Sequence, residues 1–145
     1  MGLLITANNS QYSFNCGYGG FFNLRKNVAL AFDKELGKHY ASMNACIYDE
    51  DYKMFDAKTN NILADPRFSD ADNDVLDFLF TSDCDGSISY RTAKKIANLL
   101  STNYQQLDLG KKIFTYAAHS DGKDYQHFID FLNDCYSHRR KVVWY

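Results

Sequence analysis

The sequence predicts an α+β protein that is mainly helical, with a small sheet formed by strands from the two ends of the chain. Apolar residues recur at helical spacing through most of the chain, whereas the clearest β-prone segments lie near the two termini. Hydrophobic residues make up 46% of the 145 positions, which is enough for a packed core. One proline and eight glycines leave few places for a linker, so residues 1–145 are predicted to form a single domain.

The N-terminal segment predicts a β-hairpin over residues 1–16. Residues 3–7 are β-prone, residues 8–11 have the composition of a turn, and residues 12–16 alternate apolar and polar side chains. The second strand is expected to lead into a glycine-rich turn.

A long amphipathic helix is predicted over residues 21–43. Apolar side chains recur at steps of four, and charged residues occupy the opposite face. The recurring apolar residues are Leu24, Val28, Phe32, Leu36 and Tyr40.

The glycine-rich turn before this helix is a candidate phosphate site. Backbone amides at a helix start can bind phosphate, and a cation in the first turns would add to the attraction. The turn lacks the Lys-Ser/Thr pair of a P-loop, so a tight turn between strand and helix is the alternative. The candidate phosphate-binding residues are Gly17, Gly19, Gly20 and Arg25.

Two interpretations are open for residues 44–72, a hairpin or an irregular segment. Three consecutive acidic residues in this segment lie between two tyrosines, a pattern suited to a basic partner surface. A solvated loop is the alternative. The candidate partner-binding residues are Tyr48, Asp49, Glu50, Asp51 and Tyr52.

A helix–loop–helix pattern occurs twice within residues 75–136, and apolar residues at helical spacing predict one buried face on the last helix of each unit. The predicted face residues are Ala93, Ile96, Ala97 and Leu100 in the first unit, and Tyr125, Phe128, Ile129, Leu132 and Cys135 or Tyr136 in the second. Each loop contains an Asp-Gly pair, Asp85-Gly86 in the first and Asp121-Gly122 in the second. This organisation resembles a degenerate pair of EF-hands, whose twelve-residue calcium loops have glycine at position 6. With Gly86 at that position, the oxygen donors available to a metal are Asp83, Asp85, Ser87 and Ser89.

The ligands of the first loop make it a poor calcium site. Thr81 and Thr92 occupy the first and last loop positions, where a strong site has carboxylates. We therefore expect no cofactor, or calcium bound with an affinity of roughly millimolar or weaker. The alternative is a turn in which Asp83 and Asp85 cap the next helix and Gly86 adopts a left-handed conformation.

Residues 141–145 are β-branched and aromatic after the initial Lys141, and they predict a strand that pairs with the N-terminal one. The basic run at residues 138–141 precedes this strand, but the formal net charge of the chain is −2, so nucleic-acid binding is not expected.

No segment approaches the roughly 18 apolar residues of a transmembrane helix, so no membrane contact is expected. The four cysteines form no CxxC pair, which disfavours a zinc knuckle and predicts reduced thiols.

Four short segments resemble a family of small bacteriophage and prophage proteins of uncharacterised function. They are MGLLI at the start, GYGGFFNLR at residues 17–25, SDCDGSIS at residues 82–89 and FIDFLNDC at residues 128–135. The resemblance implies a protein of viral origin in the cytoplasm of the host cell. It supplies no catalytic residues, and it implies action by binding and blocking a host or defence factor.

Non-enzymatic protein–protein binding is the predicted function. The sequence contains no G-x-S-x-G and no H-E-x-x-H motif. Its eleven Tyr and eleven Phe imply aromatic rings at the surface, which favour interfaces and make a homodimer an expected option. The expected partner is a host or phage protein, and the expected role is inhibition of a host defence system, like that of an anti-CRISPR protein. An EF-hand-like metal-responsive module and a phosphate- or nucleotide-binding protein are the alternatives.

Overall fold

A computed structural model describes residues 2–42, 52–67, 74–82, 84–107 and 123–145. It is a mainly α-helical α+β structure with one small antiparallel sheet, which confirms the predicted fold class. The described helices include none with both the length and the hydropathy of a membrane-spanning helix. In chain order the elements are β1 (Gly2–Ala7), β2 (Ser13–Gly17), α1 (Tyr18–Phe32), α2 (Lys34–Ala41), α3 (Tyr52–Ala64), α4 (Asp74–Phe80), β3 (Gly86–Ile88), α5 (Tyr90–Thr102), a short 3-10 helix (Tyr104–Gln106), α6 (Lys123–Ser137) and β4 (Val142–Trp144).

The sheet joins both ends of the chain to a strand from its middle. Its order is β2-β1-β4-β3, and every pairing is antiparallel. β4 pairs with β1, with Ile5 opposite Trp144, which confirms the predicted pairing of the terminal strands. β3 pairs with β4, with Gly86 opposite Trp144. The sequence does not predict β3, because three residues inside a loop are too few to show an alternating pattern.

One face of the sheet is buried under aromatic rings from three helices. Trp144 contacts Phe21 of α1 and Phe78 of α4. Phe14 contacts Phe128 of α6 at a centroid distance of 5.6 Å. On the other face of the sheet the side chains are half-buried or exposed. The sheet residues of the buried face are Leu3, Ile5, Ala7, Phe14, Cys16, Ile88, Val142 and Trp144.

The long helices meet through the apolar faces that their sequences predict. α5 packs along α6, and α1 packs on α5. Inside this layer Asn27 of α1, which is fully buried, donates a hydrogen bond to the hydroxyl of Tyr125 on α6. The predicted face residues that are buried are Ala93, Ile96, Ala97 and Leu100 on α5 and Tyr125, Phe128, Ile129, Leu132 and Cys135 on α6.

The prediction of one helix over residues 21–43 is wrong. α1 ends at Phe32, Asp33 has an extended backbone (φ −161°, ψ 137°), and α2 follows directly. The carboxylate of Asp33 accepts hydrogen bonds from the backbone N–H groups of Glu35 (2.9 Å) and Leu36 (3.1 Å). Asp33 therefore caps a second helix instead of continuing the first.

The apolar spacing of this region already requires a break. Residues four apart differ by about 40° around a helix of 3.6 residues per turn, so Leu24 and Tyr40 would face about 160° apart on one straight helix. Both are buried, because α2 packs back against α1. At this contact a Cβ on Gly37 would lie 2.4 Å from Cδ2 of Leu30, so only glycine fits.

α3 and the turn after it, residues 52–67, form a peripheral segment that we term the α3 arm. The hairpin and the irregular segment predicted for residues 44–72 are both wrong here, because Tyr52–Ala64 is an α-helix. Oγ1 of Thr59 lies 3.1 Å from Nε2 of His39 on α2. Arg67 forms an ion pair of 2.8 Å with Glu35, also on α2. The arm is thus tied by polar contacts to the helix that follows the break at Asp33.

Candidate functional site

The loop between α4 and α5 is held to the core by hydrogen bonds. The carbonyl of Ser82 accepts from Nε1 of Trp144 (3.0 Å) and from Nη2 of Arg25 (3.2 Å). The hydroxyl of Ser82 accepts from the backbone N–H of Cys84 (3.1 Å) and is 3.4 Å from that of Asp85. The start of the predicted calcium loop is therefore fixed to β4 and α1.

The predicted metal ligands have different roles in the structure. Asp83 lies outside the described residues, and Asp85 and Ser87 are exposed. The hydroxyl of Ser89 accepts from the backbone N–H of Thr92 (3.2 Å), so Ser89 performs the capping that the sequence assigns to Asp83 and Asp85. In the described part of the chain, no three His, Cys, Asp or Glu side chains form a group suited to a metal ion. Weak calcium binding stays a prediction.

Gly86 is required for packing. Its backbone is not in the left-handed region, so the predicted left-handed conformation is wrong. A Cβ on Gly86 would lie 2.3 Å from Cζ2 of Trp144, well inside van der Waals contact. A calcium loop needs its glycine for a sharp turn, whereas this loop needs it for the approach of an indole ring. The second Asp-Gly pair, at residues 121–122, lies outside the described residues.

The glycine-rich turn and Arg25 do not come together as a phosphate site. Gly17 is the N-cap of α1, and Gly19 and Gly20 already lie in its first turn, because the helix begins earlier than predicted. Arg25 is only 4% exposed, and its guanidinium carbon lies 4.3 Å from the centroid of the Phe21 ring. The guanidinium is therefore directed into the core.

Arg25 belongs to the aromatic cluster around Trp144. Its guanidinium carbon lies 5.5 Å from the ring of Phe78 and 5.8 Å from that of Trp144. Cation–π contacts of this kind are worth up to about 2 kcal/mol when water is excluded. Helical spacing is the signal that could have revealed this position, since Phe21, Arg25 and Val28 share one face of α1 and all three are buried.

The predicted acidic patch borders the α3 arm. Residues 43–51 lie outside the described residues, and Tyr52 is the first residue of α3. In the described arm Ile62 packs partly against the core, whereas Met54 and Leu63 are 54% and 42% exposed. The patch residues outside the described part are Tyr48, Asp49, Glu50 and Asp51.

A groove of about 750 Å³ lies beside the open face of the sheet, and we term it the outer-face groove. Its floor includes Thr6 of β1 and Val143 of β4, which are paired across the two strands. Tyr145 lies at its rim and is 63% exposed. The turn between β1 and β2 contributes one wall through Asn8 and Asn9.

The other wall of the groove is basic. It consists of residues 138–141, His-Arg-Arg-Lys, and the described lining residues include no acidic one. Asp134 of α6 lies 3.2 Å from Nδ1 of His138 and 3.5 Å from Nη1 of Arg140. The sequence shows the basic run, but the groove exists only because the sheet brings two distant turns together.

Arg139 has a left-handed backbone, with φ of 54°. It follows the end of α6, where the backbone N–H of Arg140 donates to a carbonyl five residues back (2.8 Å). Glycine is the residue favoured at this position of a helix end, because a Cβ there is strained. Arg139 is exposed, so its side chain is able to approach a ligand.

The described cysteines are thiols and form no disulfide, and two of them are buried. Burial raises the pKa of Cys16 to about 12 and that of Cys135 to about 11. The thiolate is the reactive form, so neither residue is poised as a nucleophile near neutral pH. Cys84 is exposed in the loop before β3.

No protein-family model, no curated protein and no solved structure matches this chain. Its function is therefore inferred from its own residues and their geometry.

Proposed function

We propose that this protein acts by binding another protein and that the α3 arm provides the contact surface. The observation that supports this is the exposure of α3, in which only Thr59 and Ile62 among the described side chains are even half-buried. A helix of 13 residues is marginally stable alone in water, and helices normally gain stability by packing one face. A partner that covers α3 would supply packing that the rest of the protein provides only in part.

The apolar side chains of the arm suit a groove on a partner. Met54 and Leu63 are nine positions apart, which places them about 180° apart around the helix. They lie on either side of the strip formed by Thr59 and Ile62, which faces the body. Met is unbranched and polarizable, so it adapts to irregular apolar surfaces. A helix held between the walls of an apolar groove is an established mode of recognition.

The acidic residues before α3 add a charge requirement. Asp49, Glu50 and Asp51 directly precede the first helical residue, Tyr52. A partner groove with basic residues at its edge would match this order of apolar and acidic groups, and such rim charges mainly favour encounter and specificity.

The resemblance to small phage and prophage proteins supports a particular setting for this interaction. The proposed location is the cytoplasm of an infected or lysogenic bacterium, and the proposed partner is a host or phage protein. Inhibition of a host defence system, as by an anti-CRISPR protein, is the proposed role. Binding itself would be the activity, and no chemical step is involved.

Affinity capture with matched charge variants tests the proposal. The bait is the tagged full chain, cross-linked in lysate of infected or lysogenic cells, and captured proteins are compared among variants. Met54→Glu places a charge on the exposed side of α3. Asn98→Glu places the same charge at an exposed site of α5 and serves as the control. We expect a partner that is retained by wild type and by Asn98→Glu and lost with Met54→Glu.

Other results would count against the proposal. A partner that survives Met54→Glu would place the contact surface elsewhere on the molecule. If wild type captures nothing beyond what an unrelated tagged protein captures, protein binding itself is contradicted. Sedimentation of the purified chain shows whether it forms a homodimer. If the arm provides the dimer contact, the same Met54→Glu change would dissociate the dimer.

A further inference from the structure

We infer that the outer-face groove binds a phosphorylated nucleoside, either as a free nucleotide or as one unit of a single-stranded nucleic acid. The groove is separate from the α3 arm, so this inference does not depend on the proposed protein partner. It rests on three properties of the groove, which are a stacking ring, two cations that no described acidic side chain pairs with and a strained arginine.

The stacking ring is Tyr145. Its backbone exchanges hydrogen bonds with Leu4 (2.9 and 3.2 Å), so the ring is carried on the rigid β1–β4 pair. It is 63% exposed at the open face of the sheet. Side chains stand roughly perpendicular to a sheet, and exposed aromatic residues on a sheet face are a common platform for unpaired bases.

The cations are Arg139 and Lys141. Asp134 lies beside His138 and Arg140 and offsets part of the charge of Arg140. No acidic side chain of the described residues pairs with Arg139 or Lys141, and both are exposed. The whole chain carries a formal charge of −2, so this positive wall is a local feature that the sequence total conceals. An arginine beside a lysine suits phosphate, because the guanidinium can donate two parallel hydrogen bonds.

The conformation of Arg139 is the third property. A residue with a side chain is strained at φ of 54°, and glycine would relieve the strain. An arginine at that position stabilises α6 less than glycine would, yet it places a guanidinium at the groove. Asn9 has φ of 58° on the opposite wall, and the amides of Asn8 and Asn9 can both donate to and accept from a base edge.

The size and chemistry of the groove select the ligand class. Ligand pockets span about 300–1,000 Å³, so a groove of about 750 Å³ is large enough for a nucleotide. An acidic peptide would satisfy the cations, but it brings no base to stack on Tyr145. The combination of one exposed ring with two cations that no described acidic side chain pairs with therefore favours a nucleotide over an acidic peptide.

Titration of the full chain with four probes tests the inference. The probes are a mononucleotide, an eight-residue oligothymidylate, inorganic phosphate and a poly-glutamate peptide, each followed by amide chemical shifts at low salt. We expect the oligonucleotide or the mononucleotide to bind with Kd on the order of 0.1 mM. The affected amides should be those of the groove, and poly-glutamate should bind at least tenfold more weakly. For the strand, log K should fall by about 0.7 per phosphate contacted for each tenfold rise in salt.

Arg139→Gly is the decisive variant. It removes one cation and relieves the backbone strain, so Tm should rise while affinity for nucleotides falls at least tenfold. A loss of binding in this variant therefore does not reflect misfolding. Lys53→Gln removes one exposed charge from the α3 arm and is the control, with no expected change in affinity. Tyr145→Leu should weaken the binding of nucleotides and leave that of inorganic phosphate unchanged.

Each outcome decides part of the inference. Equal affinity for the mononucleotide and the strand identifies a free nucleotide as the ligand, and binding of the strand alone identifies a single-stranded nucleic acid. Poly-glutamate that binds as tightly as the nucleotides overturns the inference in favour of an acidic partner. It is also overturned if Arg139→Gly retains full affinity or if no probe binds.

Discussion

The body around the sheet and the α3 arm are stabilised by different interactions. In the body Trp144 is 1% exposed and packs against Phe21, Phe78 and Arg25. In α3 most of the described side chains are exposed, and the arm is tied to the body by polar contacts such as that between His39 and Thr59. Burial of apolar surface is the dominant source of stability, so the arm can open locally while the body stays folded.

Trp144→Ala should produce the largest effect. Truncating a buried Trp costs about 3–5 kcal/mol of the free energy of unfolding, through lost burial and the cavity left behind. The matched change in the arm, Met54→Ala, should alter this free energy by no more than about 0.5 kcal/mol. Urea denaturation followed by circular dichroism measures both. Similar costs for the two variants would refute the contrast between body and arm.

Gly86→Ala should have the next largest effect. The added methyl would meet the ring of Trp144, and overpacking of this kind costs about 1–3 kcal/mol. Gly19→Ala is the control, because nothing lies within 4 Å of its Cβ position and it is in the first turn of α1. It should stabilise the protein by about 0.4–1 kcal/mol. A neutral Gly86→Ala in thermal unfolding would mean that the indole does not pack against this glycine.

Acidification should loosen the arm and leave the body unchanged. Burial, and secondarily the charge of Lys58, lowers the pKa of His39 below its usual value of 6.5. Below about pH 6.5, His39 is protonated more readily when the arm is open than when it is closed. The contact of His39 with Thr59 therefore weakens as the pH falls from about 6.5 towards the lowered pKa. The weakening is complete once the pH is below the lowered pKa.

Amide hydrogen exchange measures this effect as protection factors for α3 relative to α5 at pH 7.5 and pH 5.5. Protection of α3 should fall at the lower pH, while that of α5 should stay constant. His39→Gln cannot be protonated and should remove the pH dependence. If that variant keeps the same pH dependence, His39 does not control the arm.

Much of the fold can be predicted from local patterns. The alternation in residues 12–16 and the helical spacing of α5 and α6 identify buried faces, because period 2 and period 3.6 place apolar residues on one side of an element. The β-branched and aromatic residues at the C-terminal end predict the terminal strand, and its pairing with β1 is confirmed. Apart from that pairing, these features need no knowledge of distant residues.

The steps of four between Leu24 and Tyr40 carry a signal that the prediction of one long helix overlooks. Such a spacing drifts around a helix and cannot keep one face buried over sixteen residues. Asp33, a strong N-cap residue in the middle of the segment, is the second signal. Together the two signals are enough to indicate the break between α1 and α2 from residue types and spacing alone.

The candidate sites depend on information that the sequence does not hold. The Asp-Gly pair resembles a calcium loop, but the need for Gly86 comes from Trp144, which is far away in the chain and adjacent only through β3–β4 pairing. Arg25 follows a glycine-rich turn, yet it is buried because Phe78 and Trp144 surround its guanidinium. A short motif specifies residue types, whereas the neighbours that decide their roles come from other elements.

Side-chain patterns along single elements are enough to predict the fold class, the terminal strand and the apolar faces of α5 and α6. Which polar residues are available depends on the tertiary structure. It buried Arg25, used Ser89 as a helix cap, left α3 exposed and joined residues 138–141 to the β1–β2 turn as one groove. Burial and charge at a site are sums over neighbouring groups, and the packing of distant segments determines which groups those are.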